Sequence, residues 1–247
     1  STDGTHSLCL SSIKSNEGEN IRLVALSGGA KNNLIAWEVV NGRLFLLKEF
    51  VLDQFGIETK VNFTVNCCTL ATVKNETLIY LGCSDGFLNV FKYDIFENSK
   101  HIELFERKEL KGTPMSIDRC SEKVVVAEST GDLLFIDFGE GEVKYSEVKI
   151  SDCGILMVRV FAVQLVDGQT KVIAASSCDD GKIILTDFEN QTELLKFDGK
   201  HTGGIRSLSV NVNDDGDFVS IASFSYDQCL VVHKINVKDL KITEITK

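Results

Sequence analysis

The sequence predicts an all-β protein, a β-propeller with about five visible four-stranded blades. Three observations lead there. One hydrophobic pattern recurs five times, with corresponding positions 45–54 residues apart. Polar turns, two of them Asp-Gly, interrupt apolar β-branched runs within each recurrence. No stretch sustains the i, i+3, i+4, i+7 apolar stripe of an amphipathic helix over three turns. A period of roughly 40–50 residues holding four strands is the mark of a radial array of sheets.

Each recurrence is centred on a hairpin. The five hairpins are Ile21–Val39, Thr77–Tyr93, Lys123–Phe138, Lys171–Phe188 and Phe218–Ile235. Their turns are anchored at Lys31, Asp85, Thr130, Asp180 and Asp227, spaced 54, 45, 50 and 47 residues apart. Six positions after each anchor stand Trp37, Phe91, Ile136, Thr186 and His233. Asp85-Gly86 and Asp180-Gly181 supply the positive φ that tight hairpins require. Apolar and small residues fill both faces of the hairpins, as burial between neighbouring sheets demands. Inner strands are expected before each hairpin, at Ser7–Ile13, Asn62–Val73, Met115–Arg119, Leu156–Val166 and Ile205–Val212. Outer strands are expected after them, at Arg43–Phe50, Ile102–Lys108, Val143–Lys149, Glu193–Phe197 and Leu240–Ile245. The lone proline, Pro114, precedes an inner strand, where its missing N–H is tolerated. No Gly-, Ser- or Pro-rich linker divides the chain. The expectation is one domain over 1–247, with blades at about 7–50, 59–108, 113–149, 155–197 and 204–246.

Composition narrows the function classes. The chain has 247 residues, 43% hydrophobic and 25% charged, with a formal net charge of −10. That is ample apolar material for a core. Its apolar stretches, such as Lys123–Ala127 and Lys171–Ala175, fall far short of the ~20 residues of a membrane helix, so no membrane partner is expected. The acidic balance argues against gripping phosphate backbones over the whole surface, though not against a local basic patch. The eight cysteines form no C-x-x-C pair and no zinc-finger spacing with His, so they read as reduced thiols in a cytoplasmic setting, the nucleus being the other compartment compatible with them. Ser1–His6 has neither the basic nor the apolar region of a signal peptide. Without an initiator Met, and with five blades where about 300 residues would make seven, the expectation is a piece of a larger propeller.

The repeats resemble WD repeats. That family places a Gly-His near the blade start, an Asp in the tight turn and a Trp-Asp closing the third strand. Its His, Ser or Thr, Asp and Trp side chains form a hydrogen-bonded tetrad. Here the last repeat has His201 and Asp227 but His233 at the Trp position. The fourth has Asp180 with Thr186-Asp187, and the first has Trp37-Glu38 with Lys31 in the turn. No repeat shows all four motif residues, so packing must carry more of the stability.

A narrower resemblance follows the order of motifs. Leu26–Gly29 ahead of Ala36-Trp37, Leu81–Gly86, Cys153–Leu156 with Val158–Val160, Ala174–Ser176, Asp180-Gly181, and His201–Ile205 with Ser207-Leu208 are similar to the C-terminal propeller of WD-repeat partner subunits of FtsJ-like tRNA 2′-O-methyltransferases. Those enzymes act at the wobble nucleotide. The resemblance implies a protein partner that is a tRNA methyltransferase, with tRNA engaged indirectly.

Catalytic motifs are missing: no G-x-x-x-x-G-K-[ST], G-x-S-x-G, H-E-x-x-H or G-x-G-x-x-G occurs. Gly139-Glu140-Gly141 reads as a hairpin turn. Among the four histidines, His6 and His101 lie in a tail and before an outer strand, His201 suits an inter-blade hydrogen bond, and His233 reads as packing. The acidic run Asn213–Asp217 lacks the Glu that a calcium loop needs at its end. The expectation is therefore no enzyme, no cofactor and no metal, but a scaffold that presents a rigid rim. On the family's geometry the loops between blades and the second-to-third-strand turns share that rim. It would carry Lys31, Asn32, Asp85, Asp180, Tyr226 and Asp227, with Lys60, Arg159, His201 and Arg206 near the central opening. The scarce cations Lys60, Arg159 and Arg206 suit a carboxylate or phosphate, and Phe55 and Tyr226 suit interface anchors. Two alternatives stay open: a WD scaffold in a ubiquitin-ligase, chromatin or trafficking assembly, and a propeller enzyme or small-ligand binder.

Overall fold

Twenty strands in five antiparallel sheets make up the computed structural model, which describes residues 5–14, 21–29, 33–41, 43–51, 64–73, 76–93, 102–138, 143–165, 168–214 and 216–247. No helix among the described residues is long and apolar enough to cross a membrane. The first sheet holds β1 (Thr5–Lys14), β2 (Ile21–Gly29), β3 (Asn33–Val40) and β4 (Arg43–Val51). The second holds β5 (Val65–Val73), β6 (Glu76–Cys83), β7 (Phe87–Tyr93) and β8 (Ile102–Glu109). The third holds β9 (Pro114–Cys120), β10 (Lys123–Glu128), β11 (Asp132–Asp137) and β12 (Lys144–Lys149). The fourth holds β13 (Ile155–Gln164), β14 (Thr170–Cys178), β15 (Lys182–Asp187) and β16 (Glu193–Asp198). The fifth holds β17 (Ile205–Val212), β18 (Phe218–Ser225), β19 (Leu230–Asn236) and β20 (Lys241–Thr246). In every sheet the strands hydrogen-bond in sequence order, so each sheet is a simple meander. The all-β architecture and the five four-stranded blades are as the repeat predicts.

The chain forms two units, residues 1–114 with the first two blades and residues 115–247 with the other three. The hairpin register explains the core of each. Residues alternate between faces along a strand, and in the second, third and fourth blades the middle two strands are buried on both. The run of β10, Lys123–Glu128, is buried at every position after its first. Within the second unit, Val125, Ala127, Leu133 and Phe135 of the third blade form one core with Ile155, Val158, Val172, Ala174 and Ile184 of the fourth. Ile173, Ala175, Ile183 and Leu185 of the fourth blade then form the next core with Ile205, Leu208, Val219, Ile221 and Ile235 of the fifth. In the first unit, Val24, Leu26, Leu34 and Ala36 meet Val65, Leu70, Ile79, Leu81 and Phe91 of the second blade. The forward-facing positions are the same each time: five residues before the turn anchor, and three and five after it. Each Val, Leu, Ile or Phe buried there contributes about 1.5–3 kcal/mol relative to exposure.

Side chains also couple the inner strands. Ser116 Oγ and an Asp118 carboxylate oxygen on β9 accept the Val158 and Val160 N–H groups on β13, at 3.2 and 2.8 Å. Burial pushes the Asp118 carboxyl above its ordinary value, against the Val160 N–H and the nearby Arg159 and Arg119 guanidinium groups.

Candidate interaction rim

In the second, third and fourth blades the second-to-third-strand turn is tied by its backbone to the segment entering or leaving its own blade. Ser84 N–H donates to Thr64 C=O (2.9 Å) and Leu110 N–H to Gly86 C=O (3.0 Å) in the second blade. In the third, Ile150 and Ser151 N–H both reach Gly131 C=O (3.1 Å). In the fourth, Asp179 N–H reaches Gly154 C=O (2.9 Å) and Gly199 N–H reaches Gly181 C=O (3.0 Å). Turn and blade-joining segment therefore sit side by side at one end of each of these three sheets. At Gly131, whose φ is +93°, a Cβ would stand 2.1 Å from the Ser151 carbonyl oxygen, so only glycine permits this approach.

The fifth blade strengthens that joint with side chains. His201 Nδ1 lies 3.2 Å from both carboxylate oxygens of Asp227, and its Nε2 lies 2.9 Å from Ser223 Oγ. A carboxylate only accepts, so the Nδ1 proton points to Asp227. The Thr202 and Cys229 N–H groups donate to the same carboxylate at 3.0 and 2.9 Å. These two backbone donors, and then the His201 ring, hold Asp227 down at about 2 despite its partial burial. Ser225 Oγ donates to Gly203 C=O at 3.0 Å and accepts the Asp227 N–H at 3.3 Å. His, Ser and Asp of the WD tetrad are thus assembled in this blade.

The fourth tetrad place is filled differently. In the first blade Trp37 Nε1 donates to Ser27 Oγ at 3.1 Å. In the fifth, His233 occupies the equivalent position, fully buried, with its ring 4.9 Å from that of Phe197. Neither ring nitrogen reaches a hydrogen-bond partner among the described residues. Burial pushes the His233 ring below its ordinary value, and His201 adds to the effect. In the fourth blade Thr186 takes the Trp position and is fully buried. The adjoining Asp187 caps a turn: Glu189 and Asn190 N–H groups donate to it at 2.9 and 3.2 Å, and Lys171 pairs with it at 2.8 Å.

The residues predicted for the rim have distinct surroundings. Lys31, Asn32, Phe55, Lys60, His101 and the Gly139–Gly141 turn lie outside the described residues, as does the side chain of His6. Asp85 is paired with Arg107 at 3.1 Å, and that guanidinium also stacks 4.0 Å from the Phe87 ring centre. Asp180 is engaged by Lys182; burial alone would raise its carboxyl, but the Lys182 ammonium and N–H leave it below its ordinary value. Arg159 is half-buried on β13, donates to Val158 C=O at 3.0 Å and lies in the field of Asp118. Arg206 is exposed, stacks 4.4 Å over the Tyr226 ring and makes no ion pair among the described residues. Tyr226 itself is 61% exposed. His201, Asp227, Tyr226 and Arg206 all belong to the turn-end of the fifth blade. Sequence reasoning missed Ser223, although a serine four residues before the anchor, repeated as Ser27 and Ser176, was available as a signal. It also missed Arg107 and Lys182, whose pairing with turn aspartates has no fixed sequence spacing.

No protein-family model matches the chain, and no curated protein does. Solved structures do. The chain is similar to one in the mitotic checkpoint complex (TM-score 0.65, 11% identity, covering 98% of this chain and 65% of that one). It is similar to BBS1N crystallised in complex with ARL6DN (TM-score 0.63, 14% identity, 97% and 64%). It is also similar to Sqt1 of Saccharomyces cerevisiae (TM-score 0.71, 10% identity, 99% and 63%). The fold is that of the WD40-type β-propellers. The chain spans just under two thirds of the length of each of these solved chains.

Proposed function

We propose that this chain is a non-catalytic scaffold of the cytoplasm that binds a protein partner through the turn-end rim of its blades. The observation that carries the reading is the Arg206–Tyr226 pair. An exposed aromatic ring with a guanidinium stacked on it that makes no ion pair among the described residues is the composition that dominates binding energy at protein interfaces. It stands on a turn held rigid by the His201–Asp227–Ser223 bonds, so little order has to be gained on binding. Two of the similar structures support an assembly role for this fold: one is a checkpoint complex and another was crystallised with ARL6DN.

The partner we propose is an FtsJ-like tRNA 2′-O-methyltransferase, which this chain positions for its tRNA substrate without performing chemistry. The support is the ordered set of motifs from Leu26–Gly29 to His201–Ile205. The test is calorimetric titration of the purified methyltransferase into the chain. The expected result is saturable binding, weakened at least tenfold by Arg206→Glu and by Tyr226→Ala, both with unchanged thermal midpoints. Absence of binding to the methyltransferase would overturn the partner. Wild-type affinity in both variants would overturn the rim.

A further inference from the structure

We propose that the core between the third and fourth blades is a binding site for one water molecule, held between the hydroxyls of Ser176 and Thr186. Those residues stand where other blades of this chain join a serine to an aromatic ring.

One serine recurs four residues before the turn anchor, and its surroundings differ from blade to blade. In the first blade Ser27 Oγ accepts the Trp37 Nε1–H at 3.1 Å. In the fifth, Ser223 Oγ lies 2.9 Å from His201 Nε2 and 3.3 Å from the Val231 carbonyl oxygen. In the fourth, Ser176 is fully buried and its Oγ reaches no hydrogen-bond partner among the described residues.

Two exchanges of a ring for a small hydroxyl residue explain the difference. Thr186 stands at the position of Trp37 and His233. Ser151 stands at the position of His201, as the turn glycines show. A Cβ at Gly181 would meet the His201 and Gly203 carbonyl oxygens at 3.1 and 3.4 Å, and one at Gly131 would meet those of Ser151 and Cys153 at 2.1 and 2.6 Å. Ser151 Oγ is short and turns to the Cys153 N–H at 3.1 Å. Among the described residues, no ring nitrogen therefore reaches Ser176.

Thr186 repeats the problem beside it. It is fully buried, and its Oγ1 has no partner among the described residues either. Ser176 pairs with Ile184 and Ala174 with Thr186. The two hydroxyl residues are thus diagonal neighbours on one face, with Cβ atoms about 7 Å apart. Ala174 and Ile184 belong to the core that Val125, Ala127, Leu133 and Phe135 of the third blade complete, so the hydroxyls open into apolar surroundings. Phe188 fills part of that core, edge-on to Phe135 at 5.4 Å, but brings no hydrogen-bonding group.

A buried hydroxyl left unpaired is costly, and two facing one gap have a common remedy. A water donates to one oxygen and accepts from the other, the setting in which buried waters are found. Cys178, two residues beyond Ser176 on the same face, offers a weak third contact. The surrounding core is uncharged, so the occupant is neutral; no group of three metal-ligating side chains occurs among the described residues.

The test is a high-resolution crystal structure with a stability measurement. One ordered water is expected within about 3.2 Å of both Ser176 Oγ and Thr186 Oγ1, and it should disappear in Ser176→Ala with Thr186→Val. Thr186→Val alone should lower the thermal midpoint by several degrees, because the water and Ser176 lose a partner. A dry pair would respond in the opposite sense, since the same change would then remove an unpaired buried hydroxyl. A raised midpoint in Thr186→Val therefore overturns the proposal. So does wild-type density with no water at the pair, and so does a direct hydrogen bond between Ser176 and Thr186.

Discussion

His201 and Asp227, 26 residues apart in sequence, meet at 3.2 Å and so fasten the loop entering the fifth blade to the turn between its second and third strands. The imidazole has no exposed side-chain surface and uses both nitrogens, the second on Ser223. His201→Ala removes both bonds and the buried ring, while Asp227 keeps its Thr202 and Cys229 N–H donors and Ser223 keeps the Val231 carbonyl. The substitution is expected to cost about 1–3 kcal/mol, read as a lower urea midpoint with an unchanged slope.

Asp227 gives the fold an acid limit. Its folded value near 2 lies below the ordinary ~3.9 of a free aspartate. A depressed carboxyl stabilises the fold fully above its unfolded value, and that contribution drains away as pH falls from about 4 to about 2. Denaturation midpoints should drop through this window. In Asp227→Asn the drop should be smaller, and an unaltered drop would show that the acid sensitivity lies elsewhere.

His233 acts in a higher window. Burial keeps its ring neutral in the folded chain, whereas the unfolded chain takes up a proton near the ordinary ~6.5. The groups around it are His201 and Lys200, which oppose protonation, and Asp198, which favours it. Stability contributed by the neutral ring is whole above about pH 6.5 and declines below it. His233→Phe retains an aromatic against Phe197 and should flatten the midpoint between pH 7 and pH 5.

Backbone conformation supplies a pair of opposite effects. Gln228, which follows Asp227 where Gly86 and Gly181 follow Asp85 and Asp180, has φ +63°. Left-handed conformation costs a side-chain-bearing residue roughly 1–2 kcal/mol, so Gln228→Gly should raise stability by about 1 kcal/mol. Gly131→Ala should do the reverse by about 2 kcal/mol or more, since strain at φ +93° adds to a clash with the Ser151 carbonyl. Both are measured by chemical denaturation.

The blades were legible in the sequence because a sheet buried on both faces needs long β-branched runs, and because Asp85-Gly86 and Asp180-Gly181 mark two of the hairpins from which the repeat can be counted. The anchors at Asp85, Asp180 and Asp227 even set which residues face forward. What the sequence left obscure was pairing between side chains distant in the chain. Asp118 and Val160 meet only because β9 and β13 lie side by side, and no local pattern announces that. Nor does any pattern separate Arg206, stacked on Tyr226 with no ion pair among the described residues, from Arg107, committed to Asp85: both are cations on strands, distinguished by what the neighbouring strand brings near them.

The strictly sequential strand order within each sheet bears on how the chain emerges from the ribosome. Every ladder closes inside one repeat, so no strand must wait for a partner synthesised hundreds of residues later. Closing short loops is entropically cheap, and chains rich in such contacts fold faster than those built on distant pairings. A blade can therefore form its hydrogen bonds during translation, and it leaves only its apolar faces to be shielded until the next repeat arrives.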